Sequence, residues 1–252
     1  MPLPEPPWRK PVRQQLSREL IVETALEILD REGMDALSMR RIATELGTGA
    51  ASLYAHVSNK EELQELLLER VLSQVQREEP DPDRWADQLR ELCRRTVDAL
   101  VAHNGIARVA LAAIVPTGEA ALDQAEAMLG PLRASGLPDP LVAVAFDVLS
   151  LYCTAYAVEA NAMRSGEFTE AQVLERTQQL SQYMAALPAD RFPALLAMGP
   201  LLGAADGEQR FQAAIDLIIA GVEALAARES RARSRRPLDR GLSSIESVHR
   251  SS

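Results

Sequence analysis

Tyr54, His56 and Lys60 fall within one short stretch of a 252-residue sequence. A phenol, an imidazole and an ammonium share one chemistry, the donation of hydrogen bonds to anionic oxygen. Just upstream, Ser38, Arg40, Thr48 and Ser52 add three hydroxyls and a guanidinium, whose forked donors suit two adjacent acceptors. Little else in the chain is equipped to break bonds. The three histidines are His56, His103 and His249, and none has a metal-ligand partner four positions on. Cys93 and Cys153 stand far apart with no CxxC spacing, which excludes a thiolate zinc site and a disulfide-rich scaffold. Gly47-Thr48-Gly49 lacks the third glycine of a dinucleotide loop, and no strand precedes it. No nucleophile is set beside a base. The expectation is a protein without metal, cofactor or enzymatic activity.

Those donors need a rigid scaffold, and the composition says which kind. Four Phe, four Tyr and two Trp leave aromatics scarce, while Ala, Leu, Glu, Arg and Gln lose little entropy in a helix. The expected fold class is all-α. Leu20, Ile21, Ala25, Ile28 and Leu29 repeat at helical spacing from Ser17 and stop at Gly33. Ser38 caps a shorter helix that ends at Leu46, before Gly47. A third helix is predicted from Ala50 to about Val57. Ser58 opens a fourth, with Glu61 three residues on as a capping box. Small or aliphatic contact residues (Ala43, Leu46, Leu53) and a glycine in the turn are what two steeply crossing helices need. The pattern predicts a helix-turn-helix that presents its third helix to the DNA major groove.

Longer helices fill the remainder. They are predicted from Asp81-Pro82 to about His103, over 105–115, over 117–134 with a bend at Gly130-Pro131, and from Asp139 to Met163. Three more follow, from Thr169 to about Leu187, over 191–198 and over 207–227. The resulting division is a Pro-rich basic arm at 1–15, a helix-turn-helix domain at 16–63, a larger helical domain at 64–228, and a tail without periodicity at 229–252. The window Leu141–Ala160 is long enough to span a bilayer. Asp147 and Glu159 interrupt it, so a core or interface helix is the cheaper reading and no membrane partner is expected. The first residues show no apolar signal core, which places the protein in the cytoplasm. A net charge of −9 argues against non-specific nucleic-acid binding by the whole surface but leaves a local site open.

On the apolar helix, Asp147, Ser150, Thr154 and Asn161 follow helical spacing and lie on one stripe. Buried polar groups need partners, since an unmet one costs about 1–3 kcal/mol. A ligand, a neighbouring helix or bound water would serve equally. Tyr152 and Tyr156 point to another side.

Residues 38–43 (Ser-Met-Arg-Arg-Ile-Ala), Gly47, residues 52–57 (Ser-Leu-Tyr-Ala-His-Val) and residues 59–63 (Asn-Lys-Glu-Glu-Leu) resemble the DNA-binding domain of the tetracycline-repressor family. The motif resemblance covers residues 17–70. The remainder is similar in architecture, with a tetracycline-repressor-like C-terminal type. The resemblance implies that Tyr54, His56 and Lys60 hold phosphates and that Arg40 reaches a base. Ser38 would cap its helix and touch phosphate, and Thr48 would reach the DNA backbone. Where relatives carry longer polar side chains, this chain has Gly49, Ala50 and Ala51. Methyls can meet a thymine methyl but form no bidentate pair, so direct readout leans on Arg40, Ser52 and DNA shape. Arg9, Lys10 and Arg13 of the arm could enter the minor groove.

The resemblance further implies a homodimer built on the helices at 139–163 and 207–227, and a pocket for a small-molecule effector. Candidate pocket residues are His103, Met128, Asp147, Thr154, Asn161 and Phe192. The function it implies is a ligand-responsive repressor released from a palindromic double-stranded DNA operator. The alternative is a helical ligand-binding or protein-interaction module whose helix-turn-helix no longer binds DNA. Salt dependence separates the two, because operator complexes weaken as counterions return.

Overall fold

A computed structural model describes residues 15–113, 117–164, 170–201 and 206–235, and among these residues the chain is helical throughout, with no strand. The basic arm up to residue 14, the expected helix start at Thr169, and the chain beyond 235 lie outside the described residues.

Helix α1 (Arg18–Glu32) starts where Ser17 Oγ accepts the Leu20 N–H at 3.2 Å and ends at Gly33. After a 3-10 turn (Met34–Ala36), α2 (Met39–Glu45) is capped by Ser38 Oγ, which accepts the Arg41 N–H at 3.1 Å. Gly47 closes α2 at φ 61°, with the Gly47 N–H on the Thr44 carbonyl and the Thr48 N–H on the Ala43 carbonyl. That paired closure needs a left-handed residue, which explains the glycine. Helix α3 (Ala50–Leu53) is one turn long, shorter than the expected 50–57. Past Leu53 the chain winds on only as turns, through the His56 and Val57 N–H groups, both given to the Leu53 carbonyl.

The start of α4 (Lys60–Leu72) also differs from expectation by one residue. Asn59 is the cap, its Oδ1 accepting the Glu62 N–H at 2.7 Å. Glu62, not Glu61, reaches back and takes the Ser58 N–H at 2.6 Å. The register follows burial: a helix beginning at Lys60 turns Leu63 and Leu67 fully inward. They join Ile21, Ile28, Leu29, Ile42, Leu53 and Val57 in one core.

The larger half contains α5 (Trp85–Ala102), α6 (Ile106–Ala112), α7 (Glu119–Ala134), α8 (Asp139–Arg164), α9 (Glu170–Ala185), α10 (Pro193–Met198) and α11 (Gly207–Arg235). Asp81-Pro82 does not start α5. The Asp81 side chain accepts the Asp83 N–H, and Gln88 holds the Asp81 N–H and the Glu79 carbonyl, so the segment is pinned as a turn. Helix α7 passes through Gly130-Pro131 as one element. Gly130 is required there, because an added Cβ would stand 2.6 Å from Pro80 Cγ. Helix α11 continues past Ala227 to Arg235, so the chain just after Arg228 is helix rather than tail.

A second core joins α5, α7, α8 and α11 through Leu89, Cys93, Leu132, Leu149, Cys153 and Ile219. Phe211 locks α11 onto α8. Its ring stacks on Tyr152 at 6.0 Å and meets Tyr156 at 4.8 Å. Those two tyrosines are therefore packing residues of the α8–α11 contact, where aromatic surfaces add to simple burial.

Candidate DNA interface and effector cavity

Leu53 decides how α3 sits. Fully buried, it turns the short helix so that Ala51, Ser52 and Tyr54 point outward. Tyr54 is 53% exposed, unusual for a tyrosine with a core nearby. Ser38, Arg40 and Lys60 are exposed on the neighbouring helix starts, while Thr48 and His56 are half-buried at the edges. Ala50 is half-buried. It packs inward on the core three residues before Leu53, so Ala51 is the exposed methyl of the pair.

The charges on this face divide into two groups. Arg41 is committed to the fold, its guanidinium 2.7 Å from Glu32 and 2.6 Å from Glu45. Those hydrogen bonds from Arg41, and a further one from Arg31, hold the Glu32 carboxyl down at about 2. Arg18 gives its Nε–H to the His56 carbonyl at 3.1 Å and pairs with Glu62, bracing the turn after α3. Nothing in the spacing of the sequence marks Arg18 for that task. Among the described residues neither Arg40 nor Lys60 has a carboxylate partner, so both cations remain available to an outside anion. A cluster of donors and two unspent cations around one exposed helix is a surface built for a polyanion.

The second feature is a cavity of about 330 Å³ in the larger half. Leu68 and Leu72 of α4 form one wall, and α5, α6, α7 and α8 form the rest. Met128, Asp147 and Thr154 line it as expected, together with Ser150 of the same stripe. Three other expected residues lie elsewhere. The His103 Nδ1 stands 3.0 Å from Asp30 Oδ2 and ties α5 to α1. Asn161 donates to the carbonyls of Leu100 and His103, at 3.3 Å each, and satisfies the end of α5. Phe192 precedes α10 under the Arg191 guanidinium, 5.1 Å from it. Gln124 and Thr96 line the cavity and were not anticipated, since each is a single polar residue with no periodic pattern to expose it. Cys153 also reaches the wall. A hydrogen bond with Cys93 and burial push its thiol well above the ordinary range, which favours the protonated form.

Two sequence profiles cover these two features. Residues 21–67 match the tetR family of bacterial regulatory proteins, and residues 79–226 match the tetracyclin repressor-like C-terminal domain. The chain belongs to the tetracycline-repressor family. The HTH-type transcriptional repressor DrrR1 of Streptomyces coeruleorubidus is 34% identical over 204 residues, 74% of this chain and 73% of its own. Apo ActR of Streptomyces coelicolor is 42% identical with a TM-score of 0.76, over 86% of this chain and 99% of its own. ActR in complex with actinorhodin gives 42% identity and a TM-score of 0.75, over 83% of this chain and 96% of that one.

The chain is a ligand-responsive, DNA-binding transcriptional regulator that binds an operator and works as a homodimer. A helical module that has lost its DNA role is set aside. Val144, Val148 and Leu151 of α8 and Leu217 and Leu225 of α11 are exposed apolar residues on the two helices expected to pair.

Proposed function

We propose that α4 is the part that converts effector binding into operator release. The observation that supports this is its position at both sites. Lys60, at its first turn, stands beside the recognition helix, and Leu68 and Leu72 near its last turn are cavity wall. At 1.5 Å per residue the helix spans about 20 Å. An effector that pushes on Leu68 and Leu72 tilts the rod and moves its Lys60 end. In a homodimer the two recognition helices must sit about 34–36 Å apart to enter successive major grooves, so a small tilt in each protomer breaks the match. The effector then acts through its differential affinity for the two spacings.

In this reading Tyr54, His56 and Lys60 anchor phosphates, Arg40 pairs with a base edge, and Thr48 and Ser38 touch the backbone. The protein represses in the cytoplasm, with no catalytic step and no membrane. The apolar α8 is a core and dimer helix whose exposed Val144 and Val148 are covered by the second protomer. The cavity's leucines call for an apolar effector with a few polar groups. Actinorhodin, the molecule in the ActR complex, is the first effector to try.

Selection of random DNA duplexes on the purified ligand-free protein tests the whole reading. Enrichment of an inverted repeat, released when actinorhodin or another apolar effector is added, is the expected result. A folded dimer that enriches no sequence overturns the claim that the effector-free state holds the operator.

A further inference from the structure

The hydroxyls of the cavity are already engaged. Thr154 Oγ1 donates to the Ser150 carbonyl of its own helix at 2.9 Å, and Ser150 Oγ donates to the Met128 sulfur at 3.6 Å. Thr96 Oγ1 donates to the Leu92 carbonyl, one turn back in α5, at 2.7 Å. Gln124 is different. Its Nε2 lies 2.6 Å from Thr96 Oγ1, and its Oε1 is buried with no hydrogen-bond donor among the described residues.

The amide orientation follows from counting protons. A threonine hydroxyl carries one hydrogen, and Thr96 has given it to Leu92. The Gln124–Thr96 contact must therefore use an amide N–H of Gln124, which leaves the Gln124 carbonyl oxygen as the unmet group. Both residues are deep: Gln124 is 8% exposed and Thr96 7%. Around the mouth stand the exposed side chains of Leu111, Leu122 and Leu151. The cavity thus has a leucine-rich rim that carries one exposed carboxylate, Asp147, and one anchored, unsatisfied acceptor on its buried floor.

Resting on the reading of this cavity as the effector site, we propose that Gln124 Oε1 accepts a hydrogen bond from a hydroxyl or N–H at the buried end of the effector. The regulator then responds to apolar molecules that carry such a donor and discriminates against those whose donor is capped. Thr96 acts as a positioning residue, since its Oγ1 holds the amide in the one orientation that presents oxygen. A site built to pair with a donor rejects the analogue lacking it, because the buried acceptor stays unmet. The expected discrimination is about ten- to hundredfold.

The test uses the full-length protein and two simple probes, 2-naphthol and 2-methoxynaphthalene, which share a ring system and differ in the donor. Calorimetric titration of the native protein should favour 2-naphthol by at least about tenfold. Gln124→Leu should bring the two affinities together by lowering that of 2-naphthol alone. Thr96→Val keeps the amide but frees it to turn, and should shrink the ratio part-way; it also serves if Gln124→Leu does not fold. Equal binding of the two probes by the native protein overturns the role of Gln124 and leaves the effector site standing. An unchanged ratio in Gln124→Leu does the same. Failure of both probes to bind the native protein removes the effector site itself, and the inference with it.

Discussion

The Nδ1 of His103, just past the end of α5, lies 3.0 Å from Oδ2 and 3.1 Å from Oδ1 of Asp30 in α1. The contact ties the DNA-binding half to the turn between α5 and α6. Beside it Gly105, at φ 87°, lets that turn pass Met34, where an added Cβ would stand 3.1 Å from the methionine Cβ. Asp30 is 41% exposed, so the pair adds less than about 1 kcal/mol to stability. We expect its weight to fall on coupling instead. His103→Ala should leave melting temperature and effector-free operator affinity nearly unchanged, while several-fold more effector is needed for half-release. Fluorescence anisotropy of a labelled operator during effector titration reads this directly. A lower melting temperature with an unchanged release curve would make the contact structural only.

Acid sensitivity should concentrate at the junction of α1 and α2. Glu32 is held at about 2, against an ordinary 4.5, first by Arg41 and then by Arg31. Glu45 is lowered as well, chiefly by Arg41. Carboxyls with depressed values favour the folded state above their unfolded value, and that contribution is lost as pH falls through the folded one. The native protein should therefore lose melting temperature between pH 4.5 and 2. Glu32→Gln should flatten that part of the curve by lowering the melting temperature at neutral pH, with little change at the acid end where Glu32 is already protonated. Equal slopes for the two proteins would show that the cluster does not govern acid unfolding.

The helix-turn-helix was legible because its residues carry local signals. Ser17, Ser38 and Gly47 each perform a task that few residue types can, and each stands where the pattern puts it. The misplaced boundaries, Ser58 for Asn59 and Asp81 for Trp85, come from competition between neighbouring cap-forming residues that burial and side-chain hydrogen bonds decide. The cavity was half legible. Asp147, Ser150 and Thr154 share a stripe on one helix, which periodicity reveals. Gln124 and Thr96 meet across two helices, and pairing of that kind has no signature along the chain. His103 and Asn161 belong with them, since their partners, Asp30 and the end of α5, are likewise distant in sequence.

Backbone geometry makes Gly47 a sharper probe than its neighbour Gly49. Gly47 adopts φ 61°, with nothing within 4 Å of an added Cβ. The cost of Gly47→Ala is then purely conformational, about 1–2 kcal/mol. Asn tolerates the left-handed region better, so Gly47→Asn should cost less. Gly49, the residue before α3, has φ −86° and equally open surroundings, so Gly49→Ala should be near neutral in stability. Urea unfolding of the three variants checks the order. A Gly47→Ala protein as stable as the native one would mean that the turn relaxes to a different closure.

Lys60 and Arg40 should separate by the kind of DNA contact each makes. A cation on a phosphate releases about one counterion, and the dimer carries two copies of Lys60, so Lys60→Ala should reduce the slope of log affinity against log salt by about 1.8, about 0.9 per protomer, and weaken all sequences alike. Tyr54→Phe removes a neutral donor, so it should weaken binding and leave that slope nearly intact. Arg40→Ala removes a group able to bridge both acceptors of one guanine, worth about 1–3 kcal/mol at that base pair. Its signature is relaxed preference at a single operator position in each half-site, with other positions unaffected. Affinity measured over a salt series, on the selected operator and on single-base variants of it, distinguishes the three. A uniform loss in Arg40→Ala would move that arginine to the phosphates and leave Ser52, the Ala51 methyl and DNA shape to carry the sequence preference.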